Sequence, residues 1–295
     1  MSSYKLAIIS VLLAAAFWGM APSITKISLQ EIPVFSLIFL RFVVASILIL
    51  PFFLKAKKNL KGNISKLFFL SLLPFLNVVF FVLGIRLTSA IISPVLYAGT
   101  PLLVVFFSRV LFKEKISLIK IIGILVGFIG VLIIVILPII GGDVGDIKGN
   151  AIILLAVLSF AFYTIFSKPI LKKQSPVVTT SLTFFLSAFL SFPLFIVELA
   201  KDSSWIIDVS GQTLLGVLYL GSFATVGSYF LYQWGVKHSS PLEASLTFYF
   251  QPIVGSLAAV FLLQEKLTFL FIIGSLVTLS GVFLTTTLSY LKNRK

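Results

Sequence analysis

The sequence predicts an all-α integral membrane protein of ten transmembrane helices, arranged as two inverted five-helix repeats. Three observations lead there. Apolar residues make up 59% of the 295-residue chain and charged residues 11%, with a mean hydropathy of +1.16, which leaves too little polar surface for a water-exposed globule. The stretch from Gly84 to Val131 is written a second time from Gly235 to Val282, a shift of 151 positions. The basic residues, finally, crowd into alternate connections between apolar runs.

The duplication rests on uncommon letters. Ser89 falls on Ser240, Pro101 on Pro252, Glu114-Lys115 on Glu265-Lys266, Gly123 on Gly274 and Gly130-Val131 on Gly281-Val282. Thirteen of 48 positions are identical. Chance Leu and Ile matches are expected in so apolar a chain, so the Pro, the Glu-Lys pair and the glycines carry the argument.

About 20 mainly apolar residues span a bilayer as a helix. The first run, 6–29, follows a short Met1 to Lys5 segment as a signal peptide would, but it has spanning length and no small-residue cleavage pattern, so it reads as a retained first helix. Runs at 33–54, 66–87, 90–112 and 116–138 complete the first unit, and those at 149–171, 177–199, 211–236, 241–263 and 267–291 make the second. Between them Gly141, Gly142, Asp143, Gly145 and Asp146 form a natural linker, dividing the chain into 1–140 and 148–295. The other long gaps, 55–65 and 200–210, leave no room for a soluble domain.

Ten spans put both termini and the even-numbered loops on one side, which carries 17 of the 23 basic residues, whereas seven of the nine acids fall on the other. By the positive-inside rule the basic side is cytoplasmic, placing the chain in the cytoplasmic membrane with both termini inside. Five helices per copy is an odd number, so the copies enter the membrane from opposite sides. The earlier helices match with a shift of 142, Lys26 falling on Lys168 and Pro51 on Pro193. Folds of this kind hold a binding site near the midplane, where the copies meet, and expose it alternately.

Trp18-Gly19, Arg41-Phe42 and the paired Pro101, Glu114-Lys115, Gly123, Gly130 and Pro252, Glu265-Lys266, Gly274, Gly281 resemble the EamA branch of the drug/metabolite transporter superfamily. The resemblance covers essentially the whole chain. It implies ten helices in two inverted five-helix halves, and a family that includes exporters of amino acids and related metabolites. The second copy departs from the pattern, with Phe160-Ala161 and Phe184-Phe185 in place of Trp-Gly and Arg-Phe.

Candidate site residues follow from polar side chains at membrane depth. Ser222, Thr225, Tyr229 and Tyr232 are spaced three, four and three apart, one helix face that lines a cavity or packs against another helix. Ser93, Tyr97 and Thr100 repeat the pattern, with Ala244, Phe248 and Gln251 as repeat partners. Pro101 and Pro252 each free a backbone carbonyl one turn earlier, as bends lining a pathway or as packed kinks. Asn77 makes either a helix-helix bond or a solute contact. Trp18 and Tyr163 are aromatics away from the interfacial belts, which suits a cavity wall as well as packing. Arg41 lies about 12 Å inside its helix at 1.5 Å per residue; an intramembrane arginine is functional by default, the alternatives being snorkelling or holding carbonyls at a helix break, and the reading here is a structural or gating role. Lys26 and Lys168, near helix ends, read as snorkelling residues. Glu114 and Glu265 are expected to pin helix-helix turns, and His238 to be solvated.

Near mid-depth there is no Asp or Glu, Glu243 in the first turn of the ninth span being nearest. A permanently cationic solute would lack a counter-charge, so zwitterionic or weakly polar amphipathic solutes fit better. The expected function is a carrier, an exporter by the resemblance, of small metabolites such as amino acids, with the lipid bilayer as surroundings. Lipid or nucleotide-sugar transport is the alternative within that class. An enzyme needs clustered acids or histidines, and one histidine with acids scattered in loops supplies neither a catalytic set nor a metal or other cofactor site. An ion channel needs a charged or carbonyl-lined pore. The +14 net charge lies between apolar runs and sets orientation, so it does not indicate nucleic acid, and without cysteine the chain has no disulfide or thiolate site.

Overall fold

Hydropathy dictates the architecture. In a computed structural model, which describes residues 3–57, 64–88, 90, 92–139, 146–255, 257 and 269–285, almost every described residue outside short turns is helical. The first helices are α1 (Ser3–Ser28), α2 (Val34–Ala56), α3 (Ile64–Leu87), α4 (Ile92–Tyr97), α5 (Thr100–Phe112) and α6 (Leu118–Ile139). They are followed by α7 (Ile147–Leu171), α8 (Pro176–Lys201), α9 (Trp205–Asp208), α10 (Gly211–Gly221) and, after a π-helical turn Ser222–Gly227, α11 (Ser228–His238). Last come α12 (Pro241–Ser245), a 3-10 turn Leu246–Tyr249, α13 (251–255) and α14 (Phe269–Phe283).

Among the described residues seven helical stretches are long and apolar enough to cross a membrane: α1, α2, α3, α4 with α5, α7, α8, and α10 through α11. Leu118–Ile133 and Ile272–Phe283 are shorter apolar helices. The spans expected at 241–263 and 267–291 lie partly outside the described residues, as do Glu265 and the linker glycines. Large apolar side chains such as Ile47, Phe69, Phe106, Leu118, Phe189 and Leu215 cover the outer surface. That surface matches hydrocarbon and not water, as befits a multi-pass membrane protein.

Two expected spans are broken. α4 ends at Tyr97 and α5 begins at Thr100, with Pro101 in its first turn, where a missing N–H costs nothing. α12, capped by Ser240 and Glu243 in a capping box, gives way to the 3-10 turn, and Pro252 is the second residue of α13. Both prolines are buried at these discontinuities, and neither kinks a continuous helix. The turn after α5 is held by the backbone, the N–H groups of Lys113 and Glu114 both donating to Ser108 O, with Lys113 in the left-handed region at φ 53°. The Glu114 side chain is exposed and bonds nothing among the described residues, so it does not pin the turn as expected.

Glycines set the closest contacts. At Gly84 a Cβ would lie 2.5 Å from Ile153 Cγ1 and 2.9 Å from Gly149 O, and at Gly235 it would meet Val11 Cγ1 and lie 3.3 Å from Ala7 O. The C-terminal part of α3 thus packs on the N-terminal part of α7, and that of α11 on the start of α1. Gly84 and Gly235 are 151 positions apart, and Ala7 and Gly149, like Val11 and Ile153, are 142 apart. In the α6–α14 pair, Gly123 lies against Gly281 and Gly130 against Gly274.

These antiparallel pairs define two ends of the bundle. At one, Lys26 Nζ donates to Thr88 O at 2.7 Å. At the other, Lys168 Nζ donates to Ser239 O, and to Val236 O and Lys237 O at 2.9 Å each. Both lysines hold carbonyls that end a neighbouring helix, which corrects the snorkelling reading: buried carbonyls demand donors, and an ammonium supplies three. Lys26 and Lys168 are 142 apart, Thr88 and Ser239 are 151 apart. The Lys26 end is also tied by carboxylates. Glu31 Oε2 accepts from Ser210 N at 2.7 Å, and Glu198 Oε2 from Ser36 N at 2.7 Å. The Ser210 N–H holds the Glu31 carboxyl below its ordinary range.

Candidate functional site

Side chains of α1, α2, α3, α4, α7 and α11 line a cavity inside the bundle. It lies near the bundle middle, on the side of the Lys26 end: Arg41 is about 10 Å from the start of α2, and Phe81 about 9 Å from the end of α3, at 1.5 Å per residue. Trp18, Arg41, Asn77, Tyr97, Tyr229 and Gln251 are in its wall, with Ser93, Phe81, Phe160, Phe248, Ala21, Pro22 and Val78.

Its floor is a tier of rings. Trp18 contacts Phe160 and Tyr229 edge to face, each with centroids 5.3 Å apart, and stacks on Phe248 at 5.9 Å. Phe248 meets Phe160 at 5.0 Å and stacks on its repeat partner Tyr97 at 5.6 Å. Offset and edge-to-face geometries place ring edges on π faces, so these rings pack together without a polar bond at every side chain.

Asn77 joins four helices at this level. Its Nδ2 donates to Tyr97 OH at 2.7 Å and to Ala156 O at 2.8 Å, and Tyr229 OH donates to its Oδ1 at 3.3 Å. The side chain thus makes the helix-helix bond, and it stands in the cavity wall.

The π-helical turn positions the cavity's charge. Its widened backbone is stapled by side chains reaching five residues back, Thr225 Oγ1 to Leu220 O at 2.7 Å and Ser228 Oγ to Phe223 O at 2.9 Å. Ala224 O then accepts from outside its own helix, from Trp18 Nε1 at 2.9 Å and from Arg41 Nη2 at 3.1 Å. Arg41 Nε donates to Thr225 Oγ1 at 2.6 Å. Arg41 is thus buried, holds one carbonyl and one hydroxyl at a helix irregularity, and still lines the cavity.

Other expected residues lie off the cavity wall. Thr225 stands behind Arg41. Ser222 is only partly buried and donates back to Leu218 O at 2.6 Å. Its three-and-four spacing assumed 3.6 residues per turn, and the wider π turn rotates it away from Tyr229 and Tyr232. Thr100 is buried in the break between α4 and α5. Tyr232 and Tyr163 lie toward the Lys168 end, where Tyr232 OH shares a 2.8 Å bond with Thr164 Oγ1 and Gln233 Nε2 donates to Ser167 Oγ at 2.8 Å. The Tyr163 hydroxyl and Gln233 Oε1 are buried there with no hydrogen-bond partner among the described residues. His238 is not simply solvated: its Nδ1 is 2.8 Å from Trp234 O and its ring lies 4.3 Å from the Trp234 ring. Sequence reasoning missed Phe81, Val78, Ala21 and Pro22 in the wall, because an apolar residue in an apolar helix carries no signal of which way it faces.

Comparison with known proteins agrees with this architecture. The model of the EamA-like transporter family matches residues 5–136 and 147–287. An uncharacterized transporter of Archaeoglobus fulgidus is 26% identical over 273 residues, covering 92% of this chain and 95% of its own. The uncharacterized transporter YetK of Bacillus subtilis is 28% identical, covering 95% and 86%. A solved crystal structure superposes with a TM-score of 0.79 at 19% identity, covering 97% of each chain, and so shares the fold.

Proposed function

The chain belongs to the EamA-like transporter family of the drug/metabolite transporter superfamily, and from that premise we propose that it carries small metabolites, amino acids among them, across the cytoplasmic membrane by alternating access. In this reading ten spans form two inverted five-helix repeats, 1–140 and 148–295, with both termini cytoplasmic and export as the direction that the family implies. The cavity beside Trp18, Asn77 and Tyr229 is the solute site.

The observation that carries the reading is the pair of lysine bonds at opposite ends, Lys26 to Thr88 O and Lys168 to Ser239 O, offset by the same 142 and 151 positions as the glycine contacts. Two equivalent halves related in this way own two equivalent closures, and releasing one while keeping the other exposes a central site to one side at a time. Beyond the ring tier, the polar side chains of Tyr163, Thr164 and Gln233 provide the second half of the route.

The test is counterflow in proteoliposomes with a broad panel of labelled metabolites. At least one solute should exchange, and Tyr229→Ala should slow that exchange with the yield of folded protein unchanged. If nothing in the panel moves, or if the substitution acts only by lowering the amount of protein, the reading is wrong.

A further inference from the structure

We propose that Arg41 anchors an anionic group of the transported solute, a carboxylate by its geometry, an inference that rests on the carrier reading above. Arg41 is 4% exposed and stands in the cavity wall. Among the described residues no carboxylate answers it. Glu31 and Glu198 bond the starts of helices, Glu243 pairs with Lys120 at 3.5 Å, Asp146 and Asp202 bond their own turns, and Glu114 and Asp208 are exposed.

The partners that Arg41 does have are neutral. Thr225 Oγ1 and Ala224 O take two of its five N–H donors, which orients the guanidinium without cancelling its charge. A buried charge inside a membrane is costly unless paired, and here the cavity is the open side from which a counter-ion can come. A planar fork of donors matches a carboxylate with two parallel bonds, and binds it more tightly than a neutral carbonyl. Ser93 Oγ, buried in the same wall with no partner among the described residues, offers a further donor or acceptor. The rest of the wall is aromatic and aliphatic, so the solute presents an acid group to Arg41 and a compact apolar body to the rings. An amine without an acid group meets an uncompensated positive charge and is excluded.

The experiment uses the wild-type protein in detergent and in liposomes with two matched pairs, 3-phenylpropanoate against phenethylamine and leucine against isopentylamine. Phenylglyoxal modification of each arginine is read by mass spectrometry, with the exposed Arg86 and Arg109 as internal controls. At ten times its dissociation constant a bound carboxylate should slow modification of Arg41 about tenfold by mass action, leaving Arg86 and Arg109 unchanged, and the amines should protect nothing. Counterflow of the same compounds should follow the same order. Arg41→Lys, which keeps the charge, should retain carboxylate exchange at reduced affinity, and Arg41→Gln should lose it.

Exchange of amines and of no carboxylate overturns the anchor and leaves the carrier standing. So does carboxylate exchange with no protection of Arg41. If none of the four compounds protects or exchanges, the anchor is overturned, and the broad metabolite panel then decides separately whether the protein is a carrier at all.

Discussion

Lys168 Nζ donates to the carbonyl oxygen of Ser239, tying the last turn of α7 to the end of α11. Hydrogen bonds from a charged donor contribute about 1.5–3 kcal/mol each, and this ammonium makes further bonds to Val236 O and Lys237 O. Lys168→Met should therefore favour opening at that end. The chain has no cysteine, so Ser167→Cys gives a clean reporter in the neighbouring buried position. Labelling by a maleimide should rise severalfold in the Lys168→Met background and stay low with Lys26→Met. Equal labelling in both would show that the two bonds do not act as separate closures.

Asn77 is the one described side chain that bonds Tyr97, Ala156 and Tyr229 together. Removing it leaves buried hydroxyls and a carbonyl without their partner, at about 1–3 kcal/mol for each unsatisfied group. Asn77→Ala should lower the melting temperature in detergent and weaken solute binding together. Tyr97→Phe, which removes one hydroxyl and leaves the amide its other acceptor, should cost less than Asn77→Ala. A reversed order would mean that the amide is not the centre of the network.

Gly84 and Gly235 are positions where a methyl group has nowhere to go, whereas a Cβ at Gly211 meets nothing within 4 Å. Gly84→Ala and Gly235→Ala should each destabilise by about 1–3 kcal/mol through overpacking, read as a loss of folded protein on heating. Gly211→Ala should be neutral. Because the two sensitive glycines occupy matched contacts, their effects should be of similar size; a silent Gly235→Ala would contradict the α1–α11 packing.

Glu31 supplies a pH-dependent tie at the Lys26 end. Its carboxyl titrates below the ordinary range in the folded protein because it accepts the Ser210 N–H. A group with a lowered folded pKa stabilises the fold above its unfolded value and loses that contribution as pH falls through its folded value. Melting curves from neutral to acid pH should decline on the acid side of the carboxylate range, and Glu31→Gln should flatten part of that decline. A decline unchanged by the substitution would assign it to other carboxylates, Asp202 among them, whose bonds to Ser204 lower its range in the same way.

Long apolar helices were legible because one property, transfer from water to hydrocarbon, sets them. The run expected at 149–171 differs from α7, Ile147–Leu171, only by the turn that Asp146 caps. Interruptions were not legible. The break at Ala98–Gly99 and the π turn at Ser222–Gly227 change hydropathy hardly at all, yet they rotate every side chain that follows, which is why Tyr229 reaches the cavity and Ser222 does not. Lys26 and Lys168 show a different limit. Their distance from a helix end is visible in the sequence, but the carbonyl that each meets belongs to another helix. A clue was present in the paired offsets, since Thr88 and Ser239 match at the same shift as Gly84 and Gly235. Arg41 could be placed at depth by counting, but its neutral partners could be known only from the fold.

The cluster of rings around Trp18 has polar groups on both sides of it, Asn77 on one and Thr164, Ser167 and Gln233 on the other. If water fills both halves, a transmembrane voltage drops mainly across the ring cluster and not over the whole hydrocarbon depth. A particle of net charge one crossing it exchanges about 2.3 kcal/mol per 100 mV, and a zwitterion exchanges none. The electrical gradient of the cell would thus sort molecules of the same shape by their net charge at a single step of their passage.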